Sequence, residues 1–516
     1  MASCVASCPR RRPKPVELGE EEMAAPRNGR IVTCEAMTSG HPDKICDQIS
    51  DALLDAHLVR DPYTRCGIEA AASGNEVWVF GQVASADPLS KEEITTITRR
   101  VIRDAGYRTA EEGIDPETCS VRVTIDPQSQ DIAQGVMKKD GAIGASDQGI
   151  VYGYATDETP EGLPLPLVLA RKLTDALTKA RTSNTIPWLR PDGKAQVSIR
   201  YAAGKSPVVT AFVLSAQHAA DAEIEDVRAV LTALALKILK PYATAETVAH
   251  VNPAGRFVTG GPLADSGLTG RKVIADTYGG VAHHGGGAFS GKDGTKVDRS
   301  AAYAARHAAL QVVRSGLASS CEIALSYAIG VEQPVAIHVQ TSGASVDQLA
   351  YLKRELAAHD FSPKGIIERL KLRTPIFERA ARSGHFGRKG LPWEAELNEK
   401  LNVRTYSKWS DQAALEVAQT VSGAESTRAV HRPPLDAKHA FMRRVAMRWH
   451  LDDKQTPRWS CGHLRELNLR HLMPGESFPW GTTGASFLKC VICPEKRPGT
   501  DSAKRVRVKA GRQTRK

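Results

Sequence analysis

The chain has 516 residues, 41% of them hydrophobic and 25% charged, with a mean hydropathy of −0.30. That apolar content excludes a disordered or fibrous protein, the length suggests about three packed units at roughly 150 residues each, and no uninterrupted apolar run approaches the roughly 18 residues that cross a bilayer. The net charge of +11 belongs to one end: His431 to Lys516 hold 19 Lys+Arg against 7 Asp+Glu, so the first 430 residues are close to neutral and give no electrostatic reason for a polyanion partner.

Residues 1–29 carry Arg10, Arg11 and Arg12 with no apolar stretch behind them, and read as a disordered leader without a secretory signal. Met23 follows Gly19-Glu20-Glu21-Glu22, whose purine-rich codons suit a ribosome-binding site, so translation is expected to start at Met23. From Ile31 to about Lys400, β-rich runs alternate with amphipathic helical stretches. Val77–Phe80, Val121–Ile125, Val197–Tyr201 and Val335–Val339 read as strands. Ile45, Ile49, Leu53 and Ala56 recur at helical spacing, as do Val227, Val230, Leu231 and Leu234. Mixed α and β with several sheets is the coarse expectation. Ten scattered cysteines are too sparse for a disulfide scaffold, which fits a reducing cytoplasm.

After Pro392-Trp393-Glu394 the helical periodicity weakens, and residues 403–516 read as a basic extension of low foldability. Its Cys461-Gly462-His463 and Cys490-Val491-Ile492-Cys493 make a poor zinc pattern, with one residue inside the first pair and a long loop between the two. Lys504 to Lys509, with Arg512, Arg515 and Lys516, is the one stretch suited to nonspecific nucleic-acid binding; a solvated tail, or one translated past a frameshifted stop, is the plainer reading.

Two stretches carry chemistry. Thr38-Ser39-Gly40-His41-Pro42-Asp43-Lys44 precedes the first helical run, so Ser39 or Gly40 is expected to cap, Pro42 suits an early helical position, and the free amides suit phosphate. His41 offers a proton or hydrogen-bond donor, and Asp43 an oxygen ligand for a hard cation such as Mg²⁺. Asp43, Asp47, Asp51 and Asp55 repeat every fourth residue, a like-charge stripe that needs compensation. For Asp51 and Asp55 a solvated helix face stays equally open.

The second stretch, Gly285 to Asp293, nearly matches the phosphate-loop pattern G-x-x-x-x-G-K-[ST] from Gly286 to Lys292. It fails at Asp293, and Val281-Ala282-His283-His284 makes no convincing strand ahead of it. A phosphate-loop kinase is therefore the alternative reading. Glycines still let backbone approach a polyphosphate, Lys292, Lys296, Arg271 and Lys272 supply cations, and Asp298 adds a carboxylate.

The strings GHPDKICDQISDALLDA, GASDQGIVYGYATDET, LRPDGKAQVSIRY, GRFVTGGPLADSGLTGRKVIADTYGG, HGGGAFSGKDGTKVDRSAAYAAR and SYAIGVEQP, in this order between Ile31 and Glu394, resemble the S-adenosylmethionine synthetase (methionine adenosyltransferase) family. The resemblance implies an α+β fold of three interleaved α/β domains of similar topology, arranged with pseudo-threefold symmetry. These would be 30–39 with 158–260 (N-terminal), 40–137 with 261–300 (central) and 138–157 with 301–402 (C-terminal). It also implies a homodimer or dimer of dimers with active sites between subunits. Its reaction is attack of the L-methionine sulfur on C5′ of ATP, followed by hydrolysis of the tripolyphosphate to pyrophosphate and phosphate.

Position by position, the resemblance makes His41, Lys194, Arg271, Lys292 and Lys296 catalytic. It places ATP against His41, Asp192, Lys194, Phe257, Asp265, Arg271, Lys272, Ala288 and Lys292, with Phe257 stacked on adenine. Methionine would meet Gln82, Gln128, Asp147, Asp265 and Lys296. Two Mg²⁺ ions would be held by Asp43 and Asp298, and one K⁺ by Glu69. Gln128 opens a stretch to Val136 similar to the family's mobile lid, in which Gln130 stands where Pro is usual, so a floppier lid is expected. Gln82 stands where the family commonly has the glutamate that pairs with the methionine ammonium, a charge-assisted bond worth on the order of 1–3 kcal/mol when desolvated.

Overall fold

The structure is a computed structural model that describes residues 29–128, 138 and 141–395. The leader with Met23, the lid stretch beyond Gln128 with Gln130, and the extension with its cysteines and basic run lie outside the described residues.

The chain leaves β1 (Arg30–Met37) through a short turn and enters α1 (Pro42–Arg60). Capping falls on His41 rather than on Ser39 or Gly40. The His41 backbone is extended (φ −61°, ψ 138°), Pro42 occupies the first turn, and the His41 Nδ1 accepts the Asp43 N–H at 3.1 Å. The reason is local: Pro42 presets a helical φ and has no N–H to satisfy, so the first free amide is that of Asp43, two residues past the histidine.

A hairpin of β2 (Arg65–Ser73) and β3 (Glu76–Ala84) follows, then α2 (Lys91–Ala105) and β4 (Ser120–Pro127). Ser90 and Glu93 close a capping box at the start of α2. Next come β5 (Gly149–Thr156), α3 (Leu165–Thr182), a second hairpin of β6 (Leu189–Tyr201) and β7 (Val208–His218), α4 (Ile224–Leu239) and β8 (Ala243–Val251). Short pieces α5 (Gly261–Ala264), β9 (Gly267–Leu268) and α6 (Val273–Asp276) lead to α7 (Val297–Arg314), β10 (Ser320–Tyr327), β11 (Ala336–Ser342), α8 (Val346–Ala357), α9 (Pro363–Arg369) and α10 (Phe377–Ala381).

Among the described residues three sheets result, ordered β1-β6-β7-β8, β4-β3-β2-β9 and β11-β10-β5. Two share a local plan: an antiparallel hairpin, a helix, and a strand laid parallel to the second hairpin strand, seen in β2-β3-α2-β4 and in β6-β7-α4-β8. The third repeats the hairpin and helix as β10-β11-α8. Alternation fixes the faces: in β2, Cys66, Ile68, Ala70 and Ala72 are buried while Glu69 is exposed. One apolar core joins α1, α2 and α7 to the second and third sheets. A second fills the first sheet, where Val197, Val209, Phe212 and Leu214 meet Leu173, Leu177, Val227 and Leu231. No described helix is long and apolar enough to cross a membrane.

Candidate active site

The start of α1, the turn around β9 and the glycine-rich segment before α7 meet at one place. At Gly270 a side chain would come within 2.4 Å of the Ala288 Cβ, so the bare Cα lets the glycine-rich segment close against Arg271 and Lys272. No strand enters that segment: residues 283–289 are irregular and α7 begins only at Val297, unlike the strand–loop–helix of a phosphate-loop kinase. Asp293, which breaks the motif, is buried and anchors the turn. Its Oδ2 accepts the Cys66 N–H at 2.8 Å and the Lys296 ammonium at 2.7 Å, and its Oδ1 accepts the Thr295 N–H at 2.8 Å.

Two carboxylate–cation groups define the site. Asp43, only 1% exposed in its side chain, accepts the Leu268 N–H at 2.9 Å on Oδ1, where Arg271 Nε also lies 3.1 Å away, while Lys272 donates to Oδ2. Burial pushes the Asp43 carboxyl up, but the Lys272 ammonium and the Leu268 amide more than offset it and hold the acid below its usual range. Lys292 donates to Asp298 Oδ2 at 2.6 Å in the second group.

His41 sits at the edge of the first group. Burial, then the charges of Lys272 and Lys194, push its imidazole down to about 3. Its Nδ1 accepts a backbone N–H, so the ring is neutral with its proton on Nε2. Lys194, in register with Met37, is exposed beside Asp192, which is buried with its Oδ2 accepting the Gly261 N–H at 2.9 Å. Burial raises the Asp192 acid to about 6 against the pull of the Gly261 amide and Lys194. Phe257 is half-buried; its carbonyl accepts the His218 N–H at 2.9 Å and its N–H donates to the His218 Nε2 at 3.0 Å.

Other expected site residues lie on the surface or at its edge. Gln82 and Glu69 are exposed on the face of the second sheet opposite the one that packs on α1. Gln128 is half-buried and accepts from Arg65 at 3.1 Å, while Asp147 and Asp265 are exposed.

The acidic stripe of α1 proves to be a row of anchors, and the solvated reading of Asp51 and Asp55 is overturned. Asp47 accepts from Lys44 at 3.0 Å and from the Gly270 N–H at 2.8 Å; Lys44 also donates to Asp276 at 2.6 Å. Asp51, 0% exposed, pairs with Arg299. Asp55 accepts the N–H groups of Phe377 and Glu378 at the start of α10. Asp293 entered the sequence reading only as a break in the motif, and Lys44, Asp276 and Arg299 escaped it. The available signal for the last was Arg299 and Arg306, seven apart on one face of an otherwise alanine-rich helix.

Models of the S-adenosylmethionine synthetase domains match the chain in succession: the N-terminal domain at residues 29–130, the central domain at 142–257 and the C-terminal domain at 259–395. The S-adenosylmethionine synthase of Desulforudis audaxviator (strain MP104C) is 46% identical over 379 residues, which cover 70% of this chain and 95% of that protein.

Proposed function

The chain belongs to the S-adenosylmethionine synthetase family and is a methionine adenosyltransferase, and we propose that it works by holding the triphosphate of ATP between the Asp43 and Asp298 groups while methionine sulfur attacks C5′. The observation that carries this reading is the preset arrangement of cations. Lys272 and Lys292 are each already held by a carboxylate, with Arg271 beside the first, so they need little reordering when a leaving group of about four negative charges develops. A thioether is a neutral nucleophile that needs no base, so alignment and charge neutralisation are what remain for the protein to supply. The neutral His41 donates through Nε2 to the oxygen leaving C5′. Asp192 accepts from the nucleoside, Lys194 and Lys296 face phosphate or carboxylate, Phe257 stacks on adenine, and Ala288 keeps the loop backbone close to the nucleotide.

Asp43 and Asp298 fit a divalent cation that arrives with phosphate. Among the described residues no three His, Cys, Asp or Glu side chains form a cage, and Mg²⁺ ordinarily takes one or two carboxylates plus phosphate oxygens. A side chain at Gly287 would lie 2.4 Å from the Asp298 carboxyl, so its bare Cα leaves that carboxylate open. Two bound Mg²⁺ ions would neutralise triphosphate charge, and Glu69 would contribute one oxygen to K⁺.

The exposure of Gln82 and Glu69 on the outer face of the second sheet supports a homodimer, or dimer of dimers, in which a second copy covers that face and completes the methionine side. Strand membership in the three sheets supports the interleaved unit boundaries given above, with β1 drawn into the sheet of β6, β7 and β8. The test is incubation with ATP, Mg²⁺, K⁺ and methionine, resolved by chromatography. A sulfur-containing adenosyl product with equal pyrophosphate and phosphate is expected; ADP, or no methionine dependence, would refute the reading.

A further inference from the structure

Asp51 and Arg299 are both fully buried and so out of reach of substrate, yet the hydrogen bonds their side chains make to backbone end on the glycine-rich segment. Asp51 Oδ1 accepts the Gly291 N–H at 2.8 Å. Arg299 donates from Nη2 to Asp51 Oδ2 at 2.5 Å and from Nη1 to the Lys292 carbonyl at 2.8 Å. The Gly291 carbonyl in turn accepts the Ile68 N–H of β2 at 3.0 Å, and the Lys292 N–H bonds to the Phe289 carbonyl at 3.2 Å. All four backbone polar groups of Gly291 and Lys292 are thus committed, which fixes the direction in which the Lys292 side chain leaves the chain. Gly291 makes the close approach possible: its φ is +78°, and a Cβ there would stand 1.7 Å from the Ile68 carbonyl oxygen. The guanidinium plane is held in turn, with its centre 4.5 Å from the Phe377 ring centroid.

A buried ion pair is a poor source of stability, because desolvating two charges offsets most of their attraction and an apolar pair of the same volume does as well. What this pair adds is geometry. Asp51 lies eight residues, or about 12 Å of helix, beyond Asp43 on α1, and Arg299 follows Asp298 directly on α7. One clasp therefore joins the three elements that carry Asp43, Lys292 and Asp298.

Resting on the reading of those three as the triphosphate side of the site, we propose that Asp51 and Arg299 are positioning residues that hold Lys292 and Asp298 at a set distance from Asp43. The planar fork of Arg299 spans two acceptors at once, which a single ammonium on a shorter chain does not reproduce. Arg299→Lys keeps the charge opposite Asp51 and slackens the arm to the Lys292 carbonyl. Asp51→Asn keeps an acceptor for the Gly291 N–H and removes the charge that aligns Arg299.

Both variants, assayed at low temperature for hydrolysis of added tripolyphosphate and for adenosyl transfer, are expected to lose kcat/KM for tripolyphosphate on the order of a hundredfold, the cost of about 1 Å of misplacement. The KM for methionine should move by less than about twofold. Lowered melting temperatures with kcat/KM per folded molecule unchanged would overturn the proposal, and so would failure of both variants to fold, since either result assigns the pair to stability alone. A wild-type protein that neither cleaves tripolyphosphate nor forms the adenosyl product would sink the reading of the site itself, whereas an active wild type with kinetically silent variants sinks only the clasp.

Discussion

The sheet β1-β6-β7-β8 and the junction of α1 with α7 are both buried, and they are buried by different means. The sheet packs Val, Leu, Ile and Phe against α3 and α4. The junction buries Asp43, Lys44, Asp47, Asp51, Asp276, Asp293 and Arg299, each held by an opposite charge or by backbone amides. Apolar packing is tolerant of small displacements because it has no direction, while a charged hydrogen bond fails within a few tenths of an ångström and 30°. The first arrangement gives the chain stability; the second gives it a defined relation between a helix start and a loop.

The largest effect that separates the two is on turnover. Lys292→Ala with Asp298→Ala should lower kcat by more than about a thousandfold, while leaving the melting temperature nearly unchanged, since a pair with side chains 26% and 31% exposed contributes at most about 1 kcal/mol. Leu231→Ala should do the reverse, removing about 2–5 kcal/mol of stability by denaturant titration with kinetic constants intact. A kinetic defect in the leucine variant, or normal turnover in the double variant, would break the division.

The same division explains what could be read from residue order. Periodicity announced α1, α4 and the strands β3, β4, β6 and β11, because apolar alternation is a local property. The glycine-rich segment and the cations of the site were visible for the same reason. The partners of the α1 stripe were not, because Asp51 meets Arg299 across 248 positions and Asp43 meets Lys272 across 229. A row of aspartates every fourth residue shows that compensation is needed and says nothing of where it comes from. The cap at His41 was missed because an imidazole nitrogen seldom takes the place of a hydroxyl or carboxylate oxygen.

Asp192 lies on the border of the two regions, and pH sharpens the contrast there. Its acid is raised to about 6 by burial, above its ordinary value. The folded state thus holds the proton more tightly than the unfolded one, so this group's contribution to stability is full at acid pH and is lost as pH rises through about 6. Nucleotide binding runs the other way, because the ionised form is the acceptor. KM for ATP should rise toward tenfold per unit as pH falls below about 6, while the Asp192 share of thermal stability increases over the same interval. Asp192→Asn should flatten both dependences; a KM profile unchanged in that variant would remove Asp192 from the nucleotide.

The smallest effect is expected on the outer face of the second sheet, where neither means of burial operates. Gln82 is exposed there, in register with Gly67 on β2 and with Asp126 on β4. Gln82→Glu would restore a charge-assisted bond to an ammonium, about 1 kcal/mol better than a neutral one. It would also place a carboxylate directly beside that of Asp126, a like-charge pair costing roughly 0.2–1 kcal/mol. The balance is at most about 0.8 kcal/mol in favour of glutamate, so KM for methionine should fall by up to about fourfold or not at all. A marked rise would mean that this face has been rebuilt around the amide, with Asp126 already supplying the negative charge that glutamine lacks. Asp126→Asn in both backgrounds separates these outcomes, raising KM strongly only where Gln82 remains.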